Sequence, residues 1–358
     1  MDNMGKIAIV GFHNLHLMQF LYKYTEILDR HNVEYDVLYW ERDEVQYPIK
    51  FKGTPIKYSY ITSNYMPKWK KVLGYLKCRK FFINQIKKNK YDKIILLTTQ
   101  TAIALSPLVL ARYKEKFIFD FRDLTMEKLP PYKAVEMQLI KNAAFVSISS
   151  PGFVDFLSSE GDYVLSHNCK NLTVNKKDMS KDAPIRITFW GMVRQEVFQQ
   201  RICDKFGNDD RFVLSYHGEG CTEKLAEYCR EKGYHNIRFT GRYYPEDIES
   251  FVVDTDILLN LYENEGKQEH ALTVKLYDGI RYQLPMIIAK NSFMEQYLKD
   301  YTFAMSIDLD RVNPEEIVEW YSRLREDVLN LEFKRFAKQI ELDDGIFERK
   351  LMKFVGNK

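Results

Sequence analysis

The 358-residue chain is 45% hydrophobic and 29% charged, which excludes a disordered polymer and leaves room for two domains with cores of their own. A net charge of +3 gives no argument for nucleic acid. Five scattered cysteines without a C-x-x-C fit reduced thiols, not a disulfide framework or structural zinc.

The N-terminus MDNMGKIAIVGF enters a strand directly, without the layout of a signal peptide, and no apolar run approaches the ~20 residues that span a bilayer. A cytoplasmic protein is expected. KIAIVGF (6–12), VEYDVLYW (33–40), KIILLT (93–98), FIFDF (117–121), AFVSIS (144–149) and DYVLS (162–166) read as strands separated by helical stretches, the pattern of a parallel, doubly wound α/β sheet. The loop GFHNLH (11–16) lacks G-x-G-x-x-G, which counts against a dinucleotide oxidoreductase. His13 and Asn14 follow the first strand and are expected to face a ligand, with helix capping an equal alternative for Asn14. Asp120, Arg122 and Asp123 in DFRDLT sit at another strand end, either as a salt bridge or as contacts to an acceptor hydroxyl.

Residues 66–90, MPKWKKVLGYLKCRKFFINQIKKNK, hold nine Lys or Arg and no acid. Trp69, Leu73, Leu76 and Ile83 form an apolar helical stripe. That stripe either packs on the sheet or, with its cations, attaches the protein to an anionic membrane surface, the favoured reading. No RNA-binding motif accompanies it, so no nucleic-acid partner is expected.

The polar stretch 168–184 reads as a linker, after which the alternation restarts: IRITFW (185–190), RFVLSY (211–216), NIRFTG (236–241), DILLNLY (256–262) and MIIA (286–289). The expected domains are 1–170, a linker at 171–184, and 185–342. A C-terminal helix at about 343–358 is expected to pack back on the first domain, with Trp320, Leu324, Val328, Phe347, Leu351 and Phe354 as candidate buried residues. Loops after strands carry function in such sheets. GMVRQE supplies Gly191 and Arg194. HGEG supplies His217, Gly218 and Gly220, a turn of the kind that offers backbone N–H groups to an anion. GRYYPED supplies Arg242 and Tyr243, and YENEGKQEH supplies Glu265, Glu269 and His270.

The stretch EHALTVKLYDGIRYQLPMII (269–288) places Leu272, Leu276 and Ile280 on one helical face and Lys275 and Asp278 on another, before Pro285 stops the helix. The order TFWGMVR, LSYHGEG, IRFTGRYYPEDIESFVVDTDILLNLY, VKLYDGIRYQLPMII resembles the donor half of a GT-B glycosyltransferase and is most similar to glycosyltransferase family 4. The resemblance implies two Rossmann-like domains facing a cleft. It further implies retaining transfer from a UDP- or GDP-sugar to a saccharide or polyprenyl-linked saccharide, in surface polysaccharide assembly on the inner face of the membrane.

On this resemblance Asp278 accepts ribose hydroxyls, Thr273 and the helix N-terminus face the nucleotide, and Arg194 and Lys275 meet the diphosphate. Glu265 and Glu269 reach the sugar, and His270 either contacts it or caps a helix. No metal or cofactor is required, since cations and N–H groups can stabilise the leaving diphosphate; DLD at 308–310 lies outside these loops. Three departures from the family pattern stand out: Asp278 replaces a glutamate, the first acid of the E-x7-E pair falls on His270 beside Glu269, and Gln283 replaces a glycine. Two rivals remain: a GT-B-fold nucleotide-sugar epimerase and a non-catalytic glycan-binding or partner-binding relative.

Overall fold

The structure, a computed structural model, describes residues 5–44, 48–62, 66–124, 129–169, 172–175, 184–263 and 269–356. The chain divides into two compact units, 1–170 together with 342–358, and 171–341.

In the first unit the described strands are β1 (Ile7–Gly11), β2 (Tyr35–Glu41), β3 (Thr54–Ser59), β4 (Lys93–Leu97), β5 (Phe117–Phe121), β6 (Phe145–Ile148) and β7 (Tyr163–Leu165). They form one parallel sheet in the order β3-β2-β1-β4-β5-β6-β7. β1 is buried along its whole length, as a central strand covered on both faces must be. β3, TPIKYS, is an edge strand with alternating exposure and was not expected from sequence, because a proline and polar residues mask its pattern.

Helices α1 (Leu21–Arg30), α2 (Lys68–Asn89), α3 (Thr99–Arg112) and α4 (Pro130–Asn142) connect these strands. α2 buries Gly74, Cys78, Phe82 and Ile86 at four-residue spacing. The stripe read from sequence is turned outward instead: Trp69 is 64% exposed and Leu76 54%, with Leu73 and Val72 also exposed. Packing of Trp69, Leu73 and Leu76 on the sheet is thereby corrected. The buried face is the one that carries Cys78, Phe82 and Ile86, and Gly74 at its start allows a close approach, since a Cβ there would meet the Tyr60 ring at 2.6 Å.

The second unit holds β8 (Ile185–Trp190), β9 (Phe212–His217), β10 (Ile237–Gly241), β11 (Ile257–Asn260), β12 (Met286–Ala289) and β13 (Ala304–Ile307), parallel, in the order β10-β9-β8-β11-β12-β13. Its helices are α5 (Glu196–Phe206), α6 (Thr222–Glu231), α7 (Ile248–Val253), α8 (Val274–Tyr282), α9 (Phe293–Leu298) and α10 (Pro314–Arg323). A final helix, α11 (Glu326–Val355), runs from this unit into the first. Its Phe347, Leu351 and Phe354 belong to the same apolar cluster as Ile7, Tyr24 and Val37 of the first unit. Glu348 accepts both hydrogen bonds of the Arg30 guanidinium at 3.0 Å. Leu324 is buried, while Trp320 is half-buried with its indole N–H on the Thr302 carbonyl at 3.2 Å; the buried position near Val328 is Leu329.

Candidate functional site

In each sheet the strand order reverses between the first and fourth strands of the unit, the point where open α/β sheets bind ligands beyond their carboxyl ends. In the second unit that point lies between β8 and β11. The loops after β8 and β9 are zipped together by their backbones: Gly191 N–H donates to His217 O at 2.9 Å, Val193 N–H to Glu219 O at 2.7 Å, and Cys221 N–H to Val193 O at 3.0 Å. This close approach requires the glycines. A Cβ on Gly218 (φ +149°) would sit 1.8 Å from the Gly191 carbonyl oxygen, and one on Gly220 (φ +118°) 2.1 Å from that of Val193. The reading of HGEG as a turn offering N–H groups to an anion is corrected at Gly218, whose N–H donates to Gly241 O at 2.7 Å.

α8 carries the charged face. Lys275 is buried, and its ammonium donates to the Tyr262 hydroxyl, lies 4.0 Å from the centre of the Phe189 ring and stands beneath Gly191, 3.3 Å from where a Cβ would be. Burial lowers its pKa to about 7; Asp278 opposes that shift and Arg194 adds to it. Asp278 accepts the Trp190 indole N–H at 2.9 Å. Burial pushes its carboxyl up, with Trp190, Arg281 and Lys275 pulling the other way. Tyr243 belongs to the same cluster: burial and the nearby Asp278 push its phenol up to about 12. Arg194 is exposed and has no hydrogen-bond or ion-pair partner among the described residues.

Other predicted residues stand nearby. His217 stacks on Phe251 at 3.7 Å and 4° and shares a hydrogen bond with Thr240 at 2.8 Å; burial lowers its pKa to about 4, so it is neutral at physiological pH. Arg242 is exposed, 3.9 Å from Glu219 and over the Tyr244 ring. Thr273 precedes α8 and donates to Asn260 Oδ1 at 2.8 Å. Glu269 and His270 pair with each other at 3.4 Å. Glu265 lies outside the described residues.

Gln283 occupies a left-handed position (φ 52°) that ends α8, with Leu284 N–H on Gly279 O at 2.8 Å and Gln283 N–H on Ile280 O at 3.4 Å. The departure from glycine therefore keeps the same cap, at a strain of roughly 1 kcal/mol.

The residues proposed for an acceptor in the first unit fare differently. Asp120 and Arg122 are buried in a two-fold ion pair at 2.7 Å; Tyr24 donates to Asp120, and Arg122 also reaches Ser166 and Asn168. Acceptor contact by this pair is corrected to a structural role, because every charged edge is already satisfied inside the fold. Asn14 is also buried and structural: it bridges the Arg42 N–H at 2.6 Å and Asp43 at 2.7 Å, tying the loop after β1 to that after β2, and its side chain caps no helix. His13 is half-buried; burial lowers its pKa to about 4, and the neighbouring Arg42 adds to the shift. Asp123 is exposed.

Trp190, Phe189 and Tyr262 lie inside or beside strand motifs, where sequence alone assigns them no place in the site. The available signal was an aromatic residue ending β8 and another just after β11.

Two units with this strand order define the GT-B fold. Three solved structures illustrate the likeness. Sucrose-phosphate synthase from Thermosynechococcus elongatus is 13% identical, with 98% of this chain and 99% of that chain covered and a TM-score of 0.69. HepE from Anabaena, solved with UDP and glucose, is 11% identical over 97% and 99% with a TM-score of 0.67. The lipopolysaccharide outer core galactosyltransferase WaaB, in its apo form, is 15% identical over 96% and 99% with a TM-score of 0.61. No protein-family profile matches the sequence, and no curated protein matches it.

Proposed function

We propose that the protein is a glycosyltransferase that takes a sugar from a UDP- or GDP-sugar and passes it, with retention, to a saccharide or lipid-linked saccharide in surface polysaccharide assembly. The observation that carries this reading is Lys275, a buried ammonium at the strand-order reversal, held among the described residues by one hydroxyl and aromatic faces rather than by a carboxylate. A diphosphate supplies the missing anion. Arg194, exposed beside it, adds the second cation, so that negative charge developing on the leaving group is met from two sides. Asp278 keeps Oδ1 for ribose hydroxyls while Trp190 orients Oδ2, and Tyr243 and His217 bound the nucleotide. Glu269 and His270 are proposed at the sugar. HepE, of the same fold, is described with UDP and glucose, which makes UDP the first nucleotide to try.

The test is melting temperature with UDP, GDP and their sugar conjugates, for the protein and for Lys275→Ala. A ligand at a hundred times its dissociation constant adds about 2.7 kcal/mol of stability, a clear rise. A rise that Lys275→Ala removes supports the reading; no rise with any nucleotide sinks it.

The exposed stripe of Trp69, Val72, Leu73 and Leu76 among the lysines of α2 supports attachment to an anionic membrane. Among the described residues no helix is long and apolar enough to cross a membrane. Co-sedimentation with phosphatidylglycerol vesicles should fall at least several-fold in Trp69→Ser/Leu76→Ser; equal binding by both proteins removes α2 from the argument.

A further inference from the structure

The first unit has a cavity of about 490 Å³ at the carboxyl end of its own sheet, within the size range of small-molecule sites. Trp40 and Arg42 from the end of β2, Lys71 and Tyr75 from α2, Gln100 from the start of α3 and Tyr132 from α4 form its walls. Its charged lining residues are both cations. The nearest acids in sequence are engaged elsewhere: Glu41 with Lys57 and Ser59, and Asp43 with Asn14.

Arg42 is the unusual member. One Nη donates to the Phe12 carbonyl at 2.5 Å, the guanidinium stacks 4.0 Å from the Trp40 ring centre, and the buried Nε has no hydrogen-bond partner among the described residues. Burial lowers its pKa, and the groups that oppose the shift are Cys78 and Tyr75 rather than a carboxylate. A guanidinium partly withdrawn from water without an anion carries a cost, and its planar fork matches phosphate oxygens. The surrounding indole and phenol rings offer flat apolar surface of the kind that packs on the C–H face of a sugar ring.

We propose that this cavity binds a phosphorylated saccharide, with the phosphate on Arg42 and Lys71 and the ring between Trp40, Tyr75 and Tyr132. The phosphate can come from a soluble sugar phosphate or from a phosphate-linked lipid headgroup. The second source accords with position, because Lys71 and Tyr75 lie on the same helix as the outward Trp69, Val72 and Leu76. That the bound molecule is the acceptor of sugar transfer rests on the glycosyltransferase reading; binding itself does not, and it is measured without any nucleotide.

The experiment is calorimetric titration of the full-length protein with glucose 6-phosphate and with glucose. Expected is at least ~10-fold tighter binding of the phosphate ester, reduced at least ~10-fold in Arg42→Gln and unchanged in Lys275→Ala. Equal affinities for the two sugars, or full affinity in Arg42→Gln, overturns the proposal. Loss in Lys275→Ala instead assigns the phosphate to the second unit and also overturns it. Should Arg42→Gln fail to fold, Lys71→Ala decides: a several-fold loss supports the site and none refutes it. Phosphatidylcholine vesicles bearing undecaprenyl phosphate-linked glucose separate the sources. Tighter capture on them than of glucose 6-phosphate points to a lipid-borne headgroup, the reverse to a soluble ester, and binding to neither overturns the site.

Discussion

Each unit has an acid and a base near the ends of its strands, and the two pairs are built oppositely. Asp120 and Arg122 face each other at 2.7 Å, and their remaining edges are taken by Tyr24, Ser166 and Asn168. Lys275 and Asp278 share a helix face without touching. Among the described residues the lysine has only a tyrosine hydroxyl and ring faces, and the aspartate only an indole N–H. The first arrangement has no valence left for a ligand. The second holds a cation and an acid whose pKa values burial displaces toward each other, which makes them functional-site candidates. Similar letters in a sequence thus separate into scaffold and candidate site by how completely their hydrogen bonds are satisfied.

The comparison breaks most visibly at Arg122. Arg122→Met leaves Asp120 charged and buried without its partner, and about 3–5 kcal/mol of unfolding free energy should be lost in urea titrations. A loss under 1 kcal/mol would mean the pair is not the scaffold it looks like.

Lys275→Met should behave in the opposite way. Fold stability holds or rises, because a buried charge is replaced by a thioether of similar size, while nucleoside diphosphate affinity drops about 10- to 100-fold, the worth of a charged hydrogen bond. Calorimetry and thermal unfolding on one sample read both quantities.

The lysine also predicts a pH signature. Its folded pKa, about 7, lies below the unfolded value of 10.5, so between those limits the unfolded chain holds a proton that the folded chain has released. Stability from this group therefore rises with pH across that window and is penalised below it. A bound diphosphate favours the ammonium, so binding at pH 8 should take up a proton. Calorimetry in two buffers of different ionisation enthalpy measures that uptake, and Lys275→Met should abolish it.

The smallest expected effect is at the end of α8. Gln283→Gly relieves left-handed strain but loses the 3.4 Å contact to Asn330 and adds freedom to the unfolded chain, so stability should move by less than about 1 kcal/mol.

Much of the architecture was legible because buried parallel strands are near-continuous apolar runs: β1, β4, β5, β8 and β12 stand out on that ground alone. Edge strands β3 and β13 did not, since one side of each is solvated and their composition resembles loop. At the site, Lys275 and Asp278 could be picked out as charges in the middle of an amphipathic helix. Trp190, the partner of Asp278, lies 88 residues away in sequence, and no local pattern connects them.

Sequence by itself determined the alternation of elements, its restart in a second sheet after the linker and the chemical types gathered in its loops, because those follow from hydrophobic period and from turn residues. Tertiary structure alone decided which charges are free to meet a ligand. Asp120 and Arg122, read as a possible contact, are closed by groups from α1 and the segment after β7; the α2 stripe, read as possible core, faces outward because Gly74, Cys78, Phe82 and Ile86 form the buried face; and Arg42, unremarked in sequence, proves to be a half-buried cation with a buried Nε and no carboxylate partner among the described residues. The reason is the same in each case: satisfaction of a polar group depends on neighbours brought from distant parts of the chain, and local periodicity carries no information about them.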